Sequence, residues 1–371
     1  MRFFNLVGGP LVETKGKVTS IFHSPRHEYR TQRMAEMLDA ARTYYSQWFH
    51  PYPWRDLKIT EFPGVATYAQ GFPGNISFSE GIGFLTKNDE ETEHDLADFV
   101  VAHETAHQWW GNIVTPGKGP GGNVLSEGMA NFAAAMLVGE VRGEGARRSL
   151  MRQFESQYGR TRSKDNERPL HRVTGSRPGD TTVMYDRGGW VLWMLCRHLG
   201  REQMFAGLQA FTLKFKDGPD YPLMEDLVEA MRPFAKDAAA YDRFVAQWVL
   251  GSVAPEFSFE KVTKEKLADG TWKVTGTIKN IGSGEMVVDI AARDEAATKP
   301  AIGKSKEEIK TPADWKAPSD LGRTSVKLDT GASAAFEVVC TGEPAQVLAD
   351  PDITILQIGR KRAVGPCELK P

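Results

Sequence analysis

The sequence predicts an α+β protein: a mainly helical domain, residues 1–252, followed by an antiparallel β-sandwich of immunoglobulin-like type, residues 253–371. Three observations predict it. From about Glu93 to Gly251 apolar residues recur at three- and four-residue spacing, the period of helices with one buried face. After "GSVAP" (Gly251–Pro255) they give way to short alternating segments divided by turn residues, the pattern of half-buried strands. A length of 371 residues, 41% hydrophobic and 25% charged, accommodates two domains with cores of their own. The formal net charge of −2 offers no electrostatic footprint for nucleic acid.

In chain order, "KVTSIFHS" (Lys17–Ser24) reads as a strand. A helix follows over Glu28–Phe49, where Met34, Met37, Leu38, Ala41 and Tyr45 share a face, and "HPYPW" ends it because proline cannot continue a helix. "DLKITEF" is a strand, and the glycine-rich "YAQGFPGNISFSEGIGFL" (Tyr68–Leu85) reads as turns around an edge strand. "DLADFVVAHETAHQWW" and "SEGMANFAAAMLVGEV" are helices joined through "TPGKGPGGN", whose glycines and prolines exclude regular structure. Five further helices follow, in "GARRSLMRQFESQYG", "VMYDRGGWVLWMLCRHLG", "REQMFAGLQAFTLKF", "PLMEDLVEAM" and "AAYDRFVAQWVL". The sandwich strands are "FSFEKV", "TWKVTGTIKN", "EMVVDIAARD", "TSVKL", "AAFEVVC" and "AQVLAD", with a long polar loop between Ala296 and Leu321.

The acidic run "KNDEETEHD" and the basic "RTRSKDNERPLHR" read as solvated loops or helix ends. No apolar run approaches the roughly 20 residues of a membrane span. The N-terminus lacks the apolar core and cleavage site of a signal peptide, so no compartment is assigned. Three cysteines are too few for a disulfide scaffold; Cys340 and Cys367 could pair, and three free thiols fit equally well.

The chemistry is concentrated in "HETAHQWWGN" (His103–Asn112). On a helix, residues four apart lie on one face, so His103 and His107 can aim two imidazoles at one point. Catalytic zinc takes three protein ligands and keeps a position for water, whose proton Glu104 can take. The residues before the motif are apolar, so these histidines enter a core, where polar side chains need partners. Glu127 begins the next helix with nineteen residues between it and His107, and is the candidate third ligand.

"HETAHQWWGN" followed by "SEGMANF" resembles the gluzincin zinc aminopeptidases, the relatives of aminopeptidase N and leukotriene hydrolase. Their motif is HExxH, eighteen residues, then Glu within N-E-G-F-A. Here the gap is one residue longer, Ser126 replaces the Asn and Met129 the Phe. "VMYDRGGWVLWML" resembles their later Y-x-K-G-A segment. The resemblance covers roughly Val18 to Pro255. It implies a thermolysin-like catalytic domain, one zinc ion held by His103, His107 and Glu127, Glu104 as general base and acid, Tyr185 as oxyanion donor, and a peptide substrate.

One motif departs. The family's G-A-M-E-N strand, whose glutamate grips the substrate's free α-amino group, is absent as such. "GFPGN" (Gly71–Asn75) offers glycine and asparagine but has Gly74 where the glutamate belongs; "SFSEG" (Ser77–Gly81) keeps the glutamate, Glu80, at 23 positions before His103. The second is preferred, with Glu80 as amine ligand and the backbone around Gly74, Asn75, Ser77 and Phe78 as a peptide-binding strand. The family's large N-terminal β-domain is also missing, so residues 1–20 are compatible with its remnant and the chain with part of a longer polypeptide. Aminopeptidase and endopeptidase stay open, as does a peptidase fold serving only to bind protein, which would be expected to lose the ligands or base that this sequence retains.

Overall fold

The computed structural model describes residues 7–85, 94–163, 165, 167–218, 220–294 and 320–370. Residues 1–6, 86–93 (most of the acidic run, whose last two residues, His94 and Asp95, are described and buried), 164 and 166 of the basic run, 219, 295–319 (most of the polar stretch) and 371 lie outside the described residues. The chain forms two compact units, Met1–Ser252 and Val253–Pro371.

In the first unit a hairpin, β1 (Val12–Lys15) and β2 (Ser20–His23), leads into helix α1 (Thr31–Trp48). The apolar stripe of α1 is buried as its spacing requires: Met34, Met37, Leu38, Ala41 and Tyr45 are at most 1% exposed. β3 (Lys58–Phe62), β4 (Ala69–Phe72) and β5 (Asn75–Ser79) complete a five-stranded sheet in the order β1-β2-β3-β5-β4. β5 is parallel to β3 on one side and antiparallel to β4 on the other. The expected edge strand is therefore two strands joined by a Pro73–Gly74 turn, and the edge is β4.

Helices α2 (Leu96–Ala106), α3 (Glu127–Arg142) and α4 (Glu144–Thr161) carry the site with a short helix α5 (Asp180–Thr182), and α6 (Gly188–Leu199) to α9 fill out the unit. α7 is Arg201–Phe215, α8 is Met224–Met231 and α9 is Ala238–Trp248. α3 touches α1, α2, α4 and α6, and its alanines 130, 133, 134 and 135 are wholly buried. With the turn before it (Gly122–Arg142, 21 residues) it is apolar and long enough to cross a membrane, but 72% of its most apolar 18-residue stretch is buried inside the domain, as the central helix of a core is.

The start of α2 is pinned on three sides. Asp95 caps it, accepting from the Ala97 and Asp98 amides at 2.9 and 3.2 Å. Arg30 pairs with Asp95, and Asp98 receives Arg33 (3.1 and 2.6 Å) and Arg142 (2.8 Å). Through Arg33 and Arg142, whose charged ends meet the buried Asp98, these pairs tie the helix to α1 and α3.

The second unit is two four-stranded sheets, β10-β7-β6-β13 and β12-β11-β8-β9. Its strands are β6 (Phe257–Lys266), β7 (Trp272–Asn280), β8 (Met286–Arg293), β9 (Asp320–Leu328), β10 (Ser333–Cys340), β11 (Gln346–Ala349), β12 (Val364–Pro366) and β13 (Glu368–Leu369). Val274, Ile278, Val288, Ile290 and Val338 alternate inward and are buried. One pairing departs from a purely antiparallel reading: β13 runs parallel to β6. All three cysteines are free thiols.

Candidate active site

The site is built where the end of α2, the start of α3 and the segment before α6 meet. His103 Nε2 and His107 Nε2 lie 3.2 Å apart, and Glu127 Oε2 is 3.4 and 3.3 Å from them. Tetrahedral zinc with bonds of about 2.0–2.1 Å sets its ligand atoms about 3.3–3.4 Å apart, so this triangle is one face of such a site. The far nitrogen of each ring is engaged. His103 Nδ1 meets Asn131 Oδ1 at 2.8 Å and His107 Nδ1 meets the Trp110 carbonyl at 3.0 Å. Both partners accept, so each Nδ1 carries a proton and Nε2 is the ring atom left for a metal to take.

Local folding explains the meeting. α2 stops at Ala106, and the Trp110 carbonyl comes back to His107 through the turn that follows. Glu127 is the first residue of α3, and Asn131, one turn on, shares its face. Burial by itself would lower the pKa of His107, but hydrogen bonding to Glu127 and the charges of Glu127 and Glu104 raise it to about 9. Burial by itself would raise the pKa of Glu127, but hydrogen bonds to His103 and His107, with their charge, hold it far below the usual carboxylate range. The two carboxylates that raise His107 favour a cation among these groups.

Glu104 is 8% exposed, and its Oε2 is buried with no hydrogen-bond partner. A buried, unpaired carboxylate oxygen is costly unless something is to be received there. Tyr185 lies in a π-helical turn, Val183–Arg187, between α5 and α6; such turns frequently occur at functional sites. Its ring stacks on His103 (centroids 6.0 Å apart, 8° between planes). Burial first, then Glu127 and Glu104, raise its pKa and keep it a donor. Close packing places this turn: a Cβ added at Gly189 would stand 2.7 Å from the Asn131 Cβ, so α6 can lie against α3 only with glycine there.

His103, Glu104, Asn131 and Tyr185 line a cavity of about 610 Å³, with Ala69 of β4, Ile82, Phe99, Val100 and Phe154. β4 is clamped to the catalytic turn by Gln108 Nε2, which donates to the Phe72 carbonyl (2.8 Å), and Asn112 Nδ2, which donates to that of Gly71 (3.2 Å). Any Cβ at Gly71 would lie 2.6 Å from the Glu104 carbonyl.

The expected amine-binding group lies elsewhere. Glu80 is not on the cavity wall; its Oε1 accepts from the Gly64 amide at 2.8 Å, and the carboxylate clusters with His27 and Glu61. The strand register causes this, because Glu80 follows the end of β5 on the side of the β3 loop, where its amide donates to the Phe62 carbonyl. The expected peptide-binding backbone is also occupied. β5 has neighbours on both sides, so Asn75, Ser77 and Phe78 cannot accept an added strand. Asn75 Oδ1 receives Thr60, Phe78 is wholly buried, and the Gly74 amide donates to Gln108. Sequence reasoning missed Asn131, although its four-residue spacing from Glu127 signals a shared face. It also missed Arg187, which stands where Y-x-K-G-A has lysine. That side chain is wholly buried, donating to the Tyr158 hydroxyl (3.1 Å) and the carbonyls of Trp248 and Gly251 (both 3.4 Å), and so anchors the turn bearing Tyr185.

Known proteins resemble this chain. Residues 29–248 match the Peptidase family M1 domain. Human (Homo sapiens) endoplasmic reticulum aminopeptidase 2 is 26% identical over 211 residues, covering 54% of this chain and 22% of its own length. Probable aminopeptidase 1 of Sulfurisphaera tokodaii is 27% identical over 191 residues, 47% of this chain and 23% of its own. The chain thus spans less than a quarter of these relatives. The crystal structure of Legionella pneumophila aminopeptidase A in complex with aspartic acid has a similar fold: TM-score 0.59 at 17% identity, covering 94% of this chain and 37% of that one. With its HExxH helix, downstream glutamate and matched domain, the chain belongs to peptidase family M1.

Proposed function

We propose that this chain is a zinc-dependent metallopeptidase acting on peptides, with aminopeptidase-like specificity. The observation that carries the reading is the triangle of His103, His107 and Glu127 beside the unpartnered Glu104 oxygen. Bound zinc would supply Lewis acidity and lower the pKa of a coordinated water. Glu104 takes the proton of the attacking water and returns it to the departing amine, the work of a general base and then acid. Tyr185 donates to the oxygen on which negative charge develops, where one donor lowers the barrier by about 3–4 kcal/mol. Asn131 and the Trp110 carbonyl hold the two imidazoles in the binding tautomer.

A thermolysin-like arrangement is supported by the edge strand β4 lying against the HExxH helix, and an immunoglobulin-like sandwich by the paired four-stranded sheets of the second unit. Exopeptidase action is favoured by the relatives, which are named aminopeptidases. Endopeptidase action is favoured by one observation: Glu80 is not on the cavity wall. Matched peptides with free and acetylated amino termini separate the two. Aminopeptidase action predicts a preference of at least about tenfold for the free amine, and Glu80→Gln should leave that preference in place. Equal cleavage of both peptides would establish the endopeptidase reading, and loss of the preference in Glu80→Gln would return the amine to Glu80.

A further inference from the structure

The cavity beside the metal triad carries a charge that the proposed chemistry does not use. Phe99, Val100 and Phe154 form an apolar wall, and Asp186, the residue after Tyr185, lies in a polar wall. Asp186 is 8% exposed. Thr182 Oγ1 donates to its Oδ2 at 2.7 Å, and no lysine or arginine among the described residues pairs with it. Arg160 borders the same cavity but donates to Gln157 and is exposed. Burial raises the Asp186 carboxyl to about 6, with only the Thr182 hydroxyl opposing. Among the described residues this carboxylate has no counter-charge, and Asp186 lines a cavity with room for a ligand.

We propose that this cavity is a subsite for a basic side chain, lysine or arginine, next to the scissile bond, and that Asp186 selects it. The proposal rests on the peptidase reading above. The aliphatic stem of such a side chain lies along Phe99, Val100 and Phe154 while its head reaches Asp186, the usual division of a long cationic side chain. The head then makes a charge-assisted bond in a site largely shielded from water. Glu104, which lines the same cavity, disfavours an acidic side chain in the same place.

Two arms test this. In the first, peptides varied among lysine, arginine, leucine and glutamate at each position flanking the bond are compared by kcat/KM. A basic residue should be preferred over leucine by about tenfold or more at one position. Asp186→Asn should abolish that ratio, and Asp186→Glu, which keeps the charge, should retain it. In the second arm, calorimetry on the zinc-loaded Glu104→Gln protein compares a lysine peptide with its leucine counterpart. The lysine peptide should bind about tenfold more tightly, and the difference should vanish when Asp186→Asn is added. Equal affinities, or a preference that survives Asp186→Asn, overturn the proposal. Absence of cleavage of every peptide by the wild type would overturn the peptidase reading, while the binding arm still decides Asp186.

Discussion

Glu104→Gln is expected to retain zinc and to lose about 10²–10⁴-fold in kcat/KM for peptide hydrolysis. Glutamine has the size and shape of glutamate but cannot take a proton at neutral pH. Glu104 is not one of the three atoms of the metal triangle, and its Oε2 has no other partner to lose. The substitution therefore removes the proton acceptor and leaves the ligand set intact. Steady-state kinetics beside elemental zinc analysis checks this. Activity within tenfold of wild type would remove Glu104 from the proton transfer, and loss of zinc would make it structural.

Tyr185→Phe should lower kcat about 10²–10³-fold with little change in KM. The ring's stacking on His103 survives the substitution, so packing is retained and one donor is lost. A donor aimed at charge that appears only in the transition state affects kcat; one that merely held the substrate would raise KM. An unchanged kcat would remove the hydroxyl from the chemistry. A rise in KM alone would recast Tyr185 as a substrate-binding group.

Much of this was legible in the residues themselves. The four-residue repeat of His103 and His107, and Glu127 after a Gly-Pro loop, name groups whose helix faces almost dictate their meeting, and the structure brings them within 3.4 Å of one another. The loop that carries the extra residue is anchored from outside, the Gly117 amide donating to the Pro222 carbonyl at 2.9 Å and the Gly121 amide to that of Val173 at 2.8 Å, and Glu127 still meets both histidines. Strand placement was less legible. "SFSEG" carries a glutamate at a familiar distance, but sequence spacing does not reveal which strand lies at the edge. The Pro73–Gly74 turn makes β5 an interior strand and β4 the edge, and Glu80 goes with β5. The π-helical turn at Tyr185 was invisible for a similar reason. Its form depends on Arg187 reaching Tyr158 and the carbonyls of Trp248 and Gly251, contacts distant in sequence.

The most direct test of the central claim, that His103, His107 and Glu127 form one zinc centre, is elemental analysis of purified wild-type and Glu127→Ala protein after exhaustive dialysis. Losing one of three ligands should lower affinity enough to empty the site. The account predicts one zinc per chain in the wild type and almost none in the variant. Zinc absent from the wild type even after zinc is supplied, or held equally by both proteins, would contradict it.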